Sequence, residues 1–232
     1  MRRGGEALAR GISGFDTLSY WAGSGAPDLQ GFLWAGFDVQ VGYTMRFESG
    51  SRPADILASM AKKHRNALHK GIRDGIECVV GDEVDTLLEL HELTFKRQGL
   101  QLPYSLDLPR RLVMATLNRG KARIYVARVR GDIAAILWVV HDSRSSYLLI
   151  AGGYPSLRPT GAGNLIEWHA IQDALSGGRA FDFEGSQLRG VEQHYRHWGA
   201  EARPIWHITG PGTSIGALAR LFNSWKTRRP RV

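Results

Sequence analysis

Four groups of residues in this 232-residue sequence have types and spacings suited to chemistry. The first is Arg158-Pro159-Thr160-Gly161-Ala162-Gly163, where glycines follow an apolar stretch and open a helical pattern. Such a start leaves several backbone N–H groups without a helical carbonyl, which makes an anion cradle. The missing Cβ atoms let a diphosphate approach the main chain, and Arg158 can add a charge-assisted contact. The second group is Asp182 and Glu184 in Phe181-Asp182-Phe183-Glu184. Their alternation predicts a strand with both carboxylates on one face, where either could take a proton or simply accept hydrogen bonds from Arg189 or the backbone. The third is Tyr195, a phenol four residues before Gly199, suited to donating a proton or to packing under a sheet. The fourth is the run Lys62, Lys63, Arg65, Lys70 and Arg73, able to neutralise phosphates.

The elements that must position these groups follow from periodicity. Phe37, Val39, Val41, Tyr43, Met45 and Phe47 alternate with polar or small residues, which predicts a half-buried strand. Arg52-Pro53 opens a helix to about residue 72, its apolar stripe Ile56, Met60, Ala67, Leu68 and Ile72 and its other faces basic. A short strand over 76–80 turns Ile76, Cys78 and Val80 inward, with Cys78 as core packing. Helices over about 82–98 and 107–118 precede a three-stranded antiparallel meander over 121–129, 133–141 and 146–154. The tripeptide Arg130-Gly131-Asp132 falls between two of those strands and is turn chemistry. A helix over 162–176, ended by Gly177-Gly178, leads to a strand over 180–184 and a helix over 189–198. A strand over 203–209, a helix over 214–225 and a basic tail over 228–231 close the pattern. His169, His194 and His197 read as packing or surface residues, and Trp138, Trp168, Trp198 and Trp206 as core.

The composition sets bounds. An apolar content of 43% fills a core, and a formal charge of +8 favours anionic partners. No run reaches the roughly 18 apolar residues of a membrane span, and the first residues contain no apolar signal core. The chain is therefore expected to be soluble and cytoplasmic. Cys78 has no partner for a disulfide, and the histidines have no zinc-ligand spacing, so no metal is expected.

The order of meander strand, loop, helix, strand and helix ending in Tyr195-Arg196-His197-Trp198-Gly199-Ala200 resembles the GNAT N-acyltransferases. Arg158 to Gly163 looks like their R/Q-x-x-G-x-G/A loop. A narrower resemblance, to the FemAB-like branch that includes peptidoglycan-bridge aminoacyltransferases and BioF2-like acetyltransferases, rests on five elements in order. They are Lys63 to Lys70, Gly75-Ile76, Thr94 to Gly99, Phe181 to Ser186, and Val191 with Tyr195 and Gly199. The resemblance implies an α/β (α+β) fold with a mixed, mostly antiparallel twisted sheet flanked by helices. It implies that Arg158, Thr160, Gly161, Ala162 and Gly163 bind the pyrophosphate of acyl-coenzyme A. It further implies that Leu149, Ile150, Ala151 and Gly152, at the splayed end of the preceding strand, pair with the pantetheine arm, and that Tyr195 protonates the leaving thiolate.

Three domain segments are expected: residues 1–50 as a remnant of a first GNAT-like half or an N-terminal extension, 51–75 as a basic connecting helix, and 76–232 as the acyltransferase domain. The leading expectation is direct attack of an amine acceptor on an acyl-coenzyme A thioester, with Asp182 or Glu184 as base. One rival uses aminoacyl-tRNA as donor, held by Lys62, Lys63, Arg65, Lys70 and Arg73, and acts on a cell-wall precursor or peptide. Another rival is a truncated, non-catalytic module. Apolar residues within 1–36 suggest a homodimer.

Overall fold

The computed structural model describes residues 18–23, 25–26, 28–185 and 189–210. The helix expected over 214–225 and the basic tail lie outside the described residues. In chain order the elements are β1 (Leu18–Ala22), α1 (Gln30–Trp34), β2 (Asp38–Phe47), α2 (Pro53–Ser59), α3 (Lys62–Arg73), β3 (Glu77–Gly81), α4 (Val84–Arg97) and α5 (Asp107–Asn118). There follow β4 (Ala122–Val129), β5 (Asp132–His141), β6 (Ser145–Gly153), a 3-10 turn (Pro155–Thr160), α6 (Ala162–Ser176), β7 (Ala180–Asp182), α7 (Arg189–His197) and β8 (Glu201–Gly210). Among these, no helix is long and apolar enough to cross a membrane.

The chain divides into two compact units, one of residues 45–202 and one of the segments before and after it. In the smaller unit β1 runs antiparallel to β8, from Leu18 opposite Gly210 to Ala22 opposite Trp206. Ala22, Phe32, Phe37 and Ile208 form its core. Trp21 stacks on His207 at 4.5 Å. Of the apolar residues within 1–36, Leu18, Tyr20 and Trp21 thus belong to a strand and Phe32, Leu33 and Trp34 to a short helix.

The larger unit holds the end of β2 and then β7, β6, β5, β4 and β3 in that order. Every pair is antiparallel except β6 with β7. The β4–β5 hairpin turns on Arg130 and Gly131, both with positive φ, as a two-residue turn requires. The sheet is covered on both faces, which explains why β5 reads as a nearly continuous apolar run. Leu137 and Val139 join Leu68, Leu165, Ile166, Phe181, Phe183 and Trp198 in one cluster. Ile136 and Trp138 join Leu87, Leu90 and Val113, from α4 and α5, in the other.

Three expectations change. The single helix over 52–72 is two helices, because Met60 and Ala61 adopt extended ψ angles. Tertiary bonds hold the break: the Ala61 amide donates to the His197 carbonyl at 2.8 Å, and Arg65 donates to the carbonyls of Leu57 and Met60. Val80, expected inward, is exposed, since β3 is the last strand of its sheet. The strand over 180–184 stops at Asp182, and Glu184 takes a φ of 64°.

Candidate active site

The loop that opens α6 is built against α3. A Cβ on Gly161 would lie 2.2 Å from the Ala67 carbonyl oxygen, and Gly161 has a φ of 87°. Its missing side chain therefore serves close helix packing and a left-handed backbone, so Gly161 does not open the main chain to a ligand as the sequence suggested. Gly163 differs: a Cβ there would meet nothing within 4 Å. The Ala162 amide turns back to Thr160 Oγ1, and Leu165 is the first residue of the helix to donate to a backbone carbonyl, that of Gly161. Gly163 and Asn164 thus lie in the first turn, where the helix itself supplies no acceptor. Asn164 Nδ2 is also a buried donor with no partner among the described residues. An open backbone, first-turn amides and an orphaned donor fit an anion, as does Arg158. Its guanidinium is drawn below its usual pKa by burial and by the nearby charge of Arg97. Two cations that repel each other favour an anion between them.

The preceding strand parts from its neighbour. β6 and β7 pair in parallel only at Ser145–Ala180, Ser146–Phe181 and Tyr147–Asp182. Past Asp182 the chain leans to the other side, with the Phe183 amide donating to the Met45 carbonyl at 2.9 Å. Opposite, the β5–β6 register shifts between Trp138 and Val139, leaving Leu149 as an extra bulged residue. Of the expected cofactor residues on β6, Ile150 is buried and Ala151 packs on the first cluster. A Cβ on Gly152 would strike Leu90 at 2.6 Å. What β6 presents beyond Tyr147 is therefore its main-chain edge, unpaired by β7.

The predicted acid and base residues stand at the β7 side of this gap. Asp182 is buried, lies 3.7 Å from the Arg46 guanidinium and accepts the Glu184 amide at 2.8 Å. It holds the turn together. Glu184 keeps exposed surface, yet crowding by protein and then the charge of Asp182 push its carboxyl up to about 7. Because the strand has ended, the two carboxylates are not equivalent neighbours on one strand face. Tyr195 stacks on Phe183 at 4.6 Å. Burial, and then Glu167 and Glu184, push its hydroxyl well above its ordinary value, so it stays protonated.

A buried polar network next to Tyr195 was not foreseen. Glu167 on α6 is 6% exposed. It accepts Trp198 Nε1–H at 2.6 Å and faces His194 Nε2 at 2.9 and 3.0 Å. His194 Nδ1 in turn lies 3.0 Å from His64 Nε2, and the His64 ring also faces His197. Burial opposes the charge on His194, but the charge and hydrogen bond of Glu167 outweigh it and raise the imidazole pKa, while Arg158 subtracts. Burial and then His194 hold His64 down at about 4. When His194 carries both ring protons, Nε2–H donates to Glu167 and Nδ1–H to the neutral His64 ring. The signal in the sequence was a carboxylate at position 167 between Ile166 and Trp168, which must find partners once buried.

The basic residues proposed for RNA scatter in role. Arg65 braces the α2–α3 break, and Lys70 and Arg73 pair with Asp74. Lys62 and Lys63 remain exposed. Burial pushes the Cys78 thiol up to about 11, so it is a protonated packing residue. A cavity of about 180 Å³ beside it, lined by Val79, Val80, Arg123, Tyr125, His169 and Asp173, shares no residue with the gap. Among the described residues no cluster of metal-ligating side chains is present.

This combination, a mixed sheet with two parting parallel strands and a glycine-led helix beside the gap, defines the fold of an acyltransferase. A family model described as "Acetyltransferase (GNAT) domain" matches residues 58–197, and the chain belongs to that family. Its fold is similar to that of FemX, at 12% identity over 77% of this chain and 67% of FemX, with a TM-score of 0.65. It is also similar to the C-terminal DUF2156 domain of a putative lysylphosphatidylglycerol synthetase from Agrobacterium fabrum, at 14% identity over 94% and 74% of the two chains, with a TM-score of 0.60. L-PGS from Bacillus licheniformis follows, at 15% identity over 87% and 71%, with a TM-score of 0.54. No curated protein matches the sequence. At these identities the likeness is one of fold, and it agrees with the FemAB-like resemblance carried by the sequence motifs.

Two outcomes follow for stability. Gly161→Ala forces a Cβ against the Ala67 carbonyl at a left-handed φ and is expected to cost about 3 kcal/mol in urea unfolding. His64 has a folded pKa of about 4 against 6.5 for a free histidine, so the unfolded chain binds its proton first. Its contribution is complete above about 6.5 and declines as pH falls towards 4, by up to about 3 kcal/mol. In His64→Leu, unfolding curves over that pH range lose this part of the slope.

Proposed function

We propose that the protein transfers an acyl group from acyl-coenzyme A to an amine acceptor by direct attack. The observation that carries the reading is Gly163, an open backbone position in the first turn of α6 beside the parted end of β6. Membership of the GNAT family supports it. The first-turn amides, Asn164 and Arg158 receive the pyrophosphate, and the free edge of β6 near the Leu149 bulge takes the pantetheine amides as a further strand would.

Glu184 is the better base of the two carboxylates, because Asp182 is committed to Arg46 and to the Glu184 amide. Ionised Glu184 removes a proton from the acceptor ammonium, and the freed amine adds to the thioester carbonyl. Main-chain N–H groups of β6 near Leu149 face the developing oxyanion. As the C–S bond breaks, the sulfur takes the electron pair and the proton of Tyr195, and the adduct nitrogen gives up its second proton to restore the phenol. The amide and free coenzyme A leave, with one net proton released to solvent. Glu184 titrates near 7, so the rate rises as pH rises through about 7.

The test uses Gly163→Asp. The new side chain has room, and an acid in the first turn suits the helix, so the melting temperature holds or rises. Yet its carboxylate sits where the pyrophosphate would. Calorimetry is expected to show micromolar acetyl-coenzyme A binding to the wild type and none to Gly163→Asp or Arg158→Ala. Glu184→Gln and Tyr195→Phe should keep binding and lose on the order of 100-fold in turnover. Absence of wild-type binding at low salt overturns this reading and directs the search to aminoacyl-tRNA.

A further inference from the structure

Glu167 stands four residues after Gly163 on α6, so the two lie on one helix face about 6 Å apart. From that face it holds α7 at His194 and the chain just past its end at Trp198, four residues on. Tyr195 lies between those points. Its hydroxyl makes no hydrogen bond among the described residues, and its ring rests on Phe183. Its reach towards the gap is therefore set by the seating of α7. We propose that Glu167 is a positioning residue, which fixes Tyr195 through His194 and Trp198 so that the phenol meets the sulfur of a donor bound at the start of the same helix. This rests on the reading of Tyr195 as the acid.

Trp198 Nε1–H donates to Glu167 Oε2, and His194 Nε2 lies within 3.0 Å of both carboxylate oxygens, so it is the charge of Glu167 that favours a protonated His194 in this seat. Glutamine keeps an oxygen for Trp198 but lacks that charge, and its NH2 group faces His194 Nε2. The titratable and charged groups facing His194 are Glu167 on α6, His64 on α3, Tyr195 on its own helix and Arg158 in the 3-10 turn, while Lys63 and His197 act on His64. Of these, Glu167 alone is anionic and bonded to the ring.

The experiment compares wild type, Glu167→Gln, Tyr195→Phe and the double variant, each labelled with 3-fluorotyrosine. The Tyr195 fluorine signal is assigned by its loss in Tyr195→Phe. In Glu167→Gln that signal is expected to shift and broaden while the other tyrosine signals stay, and the His194 titration should move to lower pH. Thiol release from acetyl-coenzyme A should drop about 10-fold or more in kcat with KM within about twofold, and add little to the loss in Tyr195→Phe. An unmoved Tyr195 signal, or losses that multiply in the double variant, overturns the proposal. Should Glu167→Gln not fold, Trp198→Phe removes one of the two bonds and must move the same signal in the same direction. A wild type that releases no thiol defeats the donor reading alone, and the fluorine and histidine signals still decide the role of Glu167.

Discussion

Everything in the larger unit is arranged around the parting of β6 from β7. Backbone N–H and C=O groups inside a protein need partners, and two parallel strands that separate leave theirs to something else. Here the separation has identifiable causes. β7 is only three residues long, the chain beyond it bonds to β2 at Met45, and the Leu149 bulge bends β6 from its other side. The opening is therefore a product of strand length and register. Side chains contribute little to its wall on β6, because Ile150 is spent on the core and Gly152 on Leu90.

α6 links this opening to the rest of the unit. Its N-terminus supplies first-turn amides, its apolar face fills the larger cluster through Leu165, Ile166 and Ala170, and one turn in from Gly163 it carries a buried carboxylate. The two glycines of its opening loop divide two tasks. Gly161 lets α3 come against the main chain, while Gly163 leaves the main chain bare. A motif that reads as one functional unit thus contains one residue kept for packing and another available to a ligand.

The electrostatics separate groups of similar type. Two carboxylates two residues apart end in different surroundings: Asp182 is engaged by a guanidinium and an amide, while Glu184 is crowded and beside a like charge, which raise its pKa. Two histidines in contact also diverge. The one that meets Glu167 has its pKa raised, while burial and then the neighbouring His194 hold the other down at about 4. Such divergence is a mark of sites where protons move.

The sequence by itself determined the elements whose periodicity is strong. The meander, the helices over 107–118 and 162–176, and the glycine loop between strand and helix were legible, because alternation and caps are local signals. So was the GNAT family, through the glycine loop and the late helix with Tyr195 and Gly199. Tertiary structure alone decided the rest. The break at Met60 and Ala61 depends on the bond from the Ala61 amide to the His197 carbonyl, 136 residues later in the chain. The end of β7 depends on Met45, and the purpose of Gly161 on Ala67. The Glu167–His194–His64 chain joins three helices whose facing surfaces no local pattern pairs. A period reports which side of an element is buried, and which partner lies across from it is settled only when distant segments close-pack.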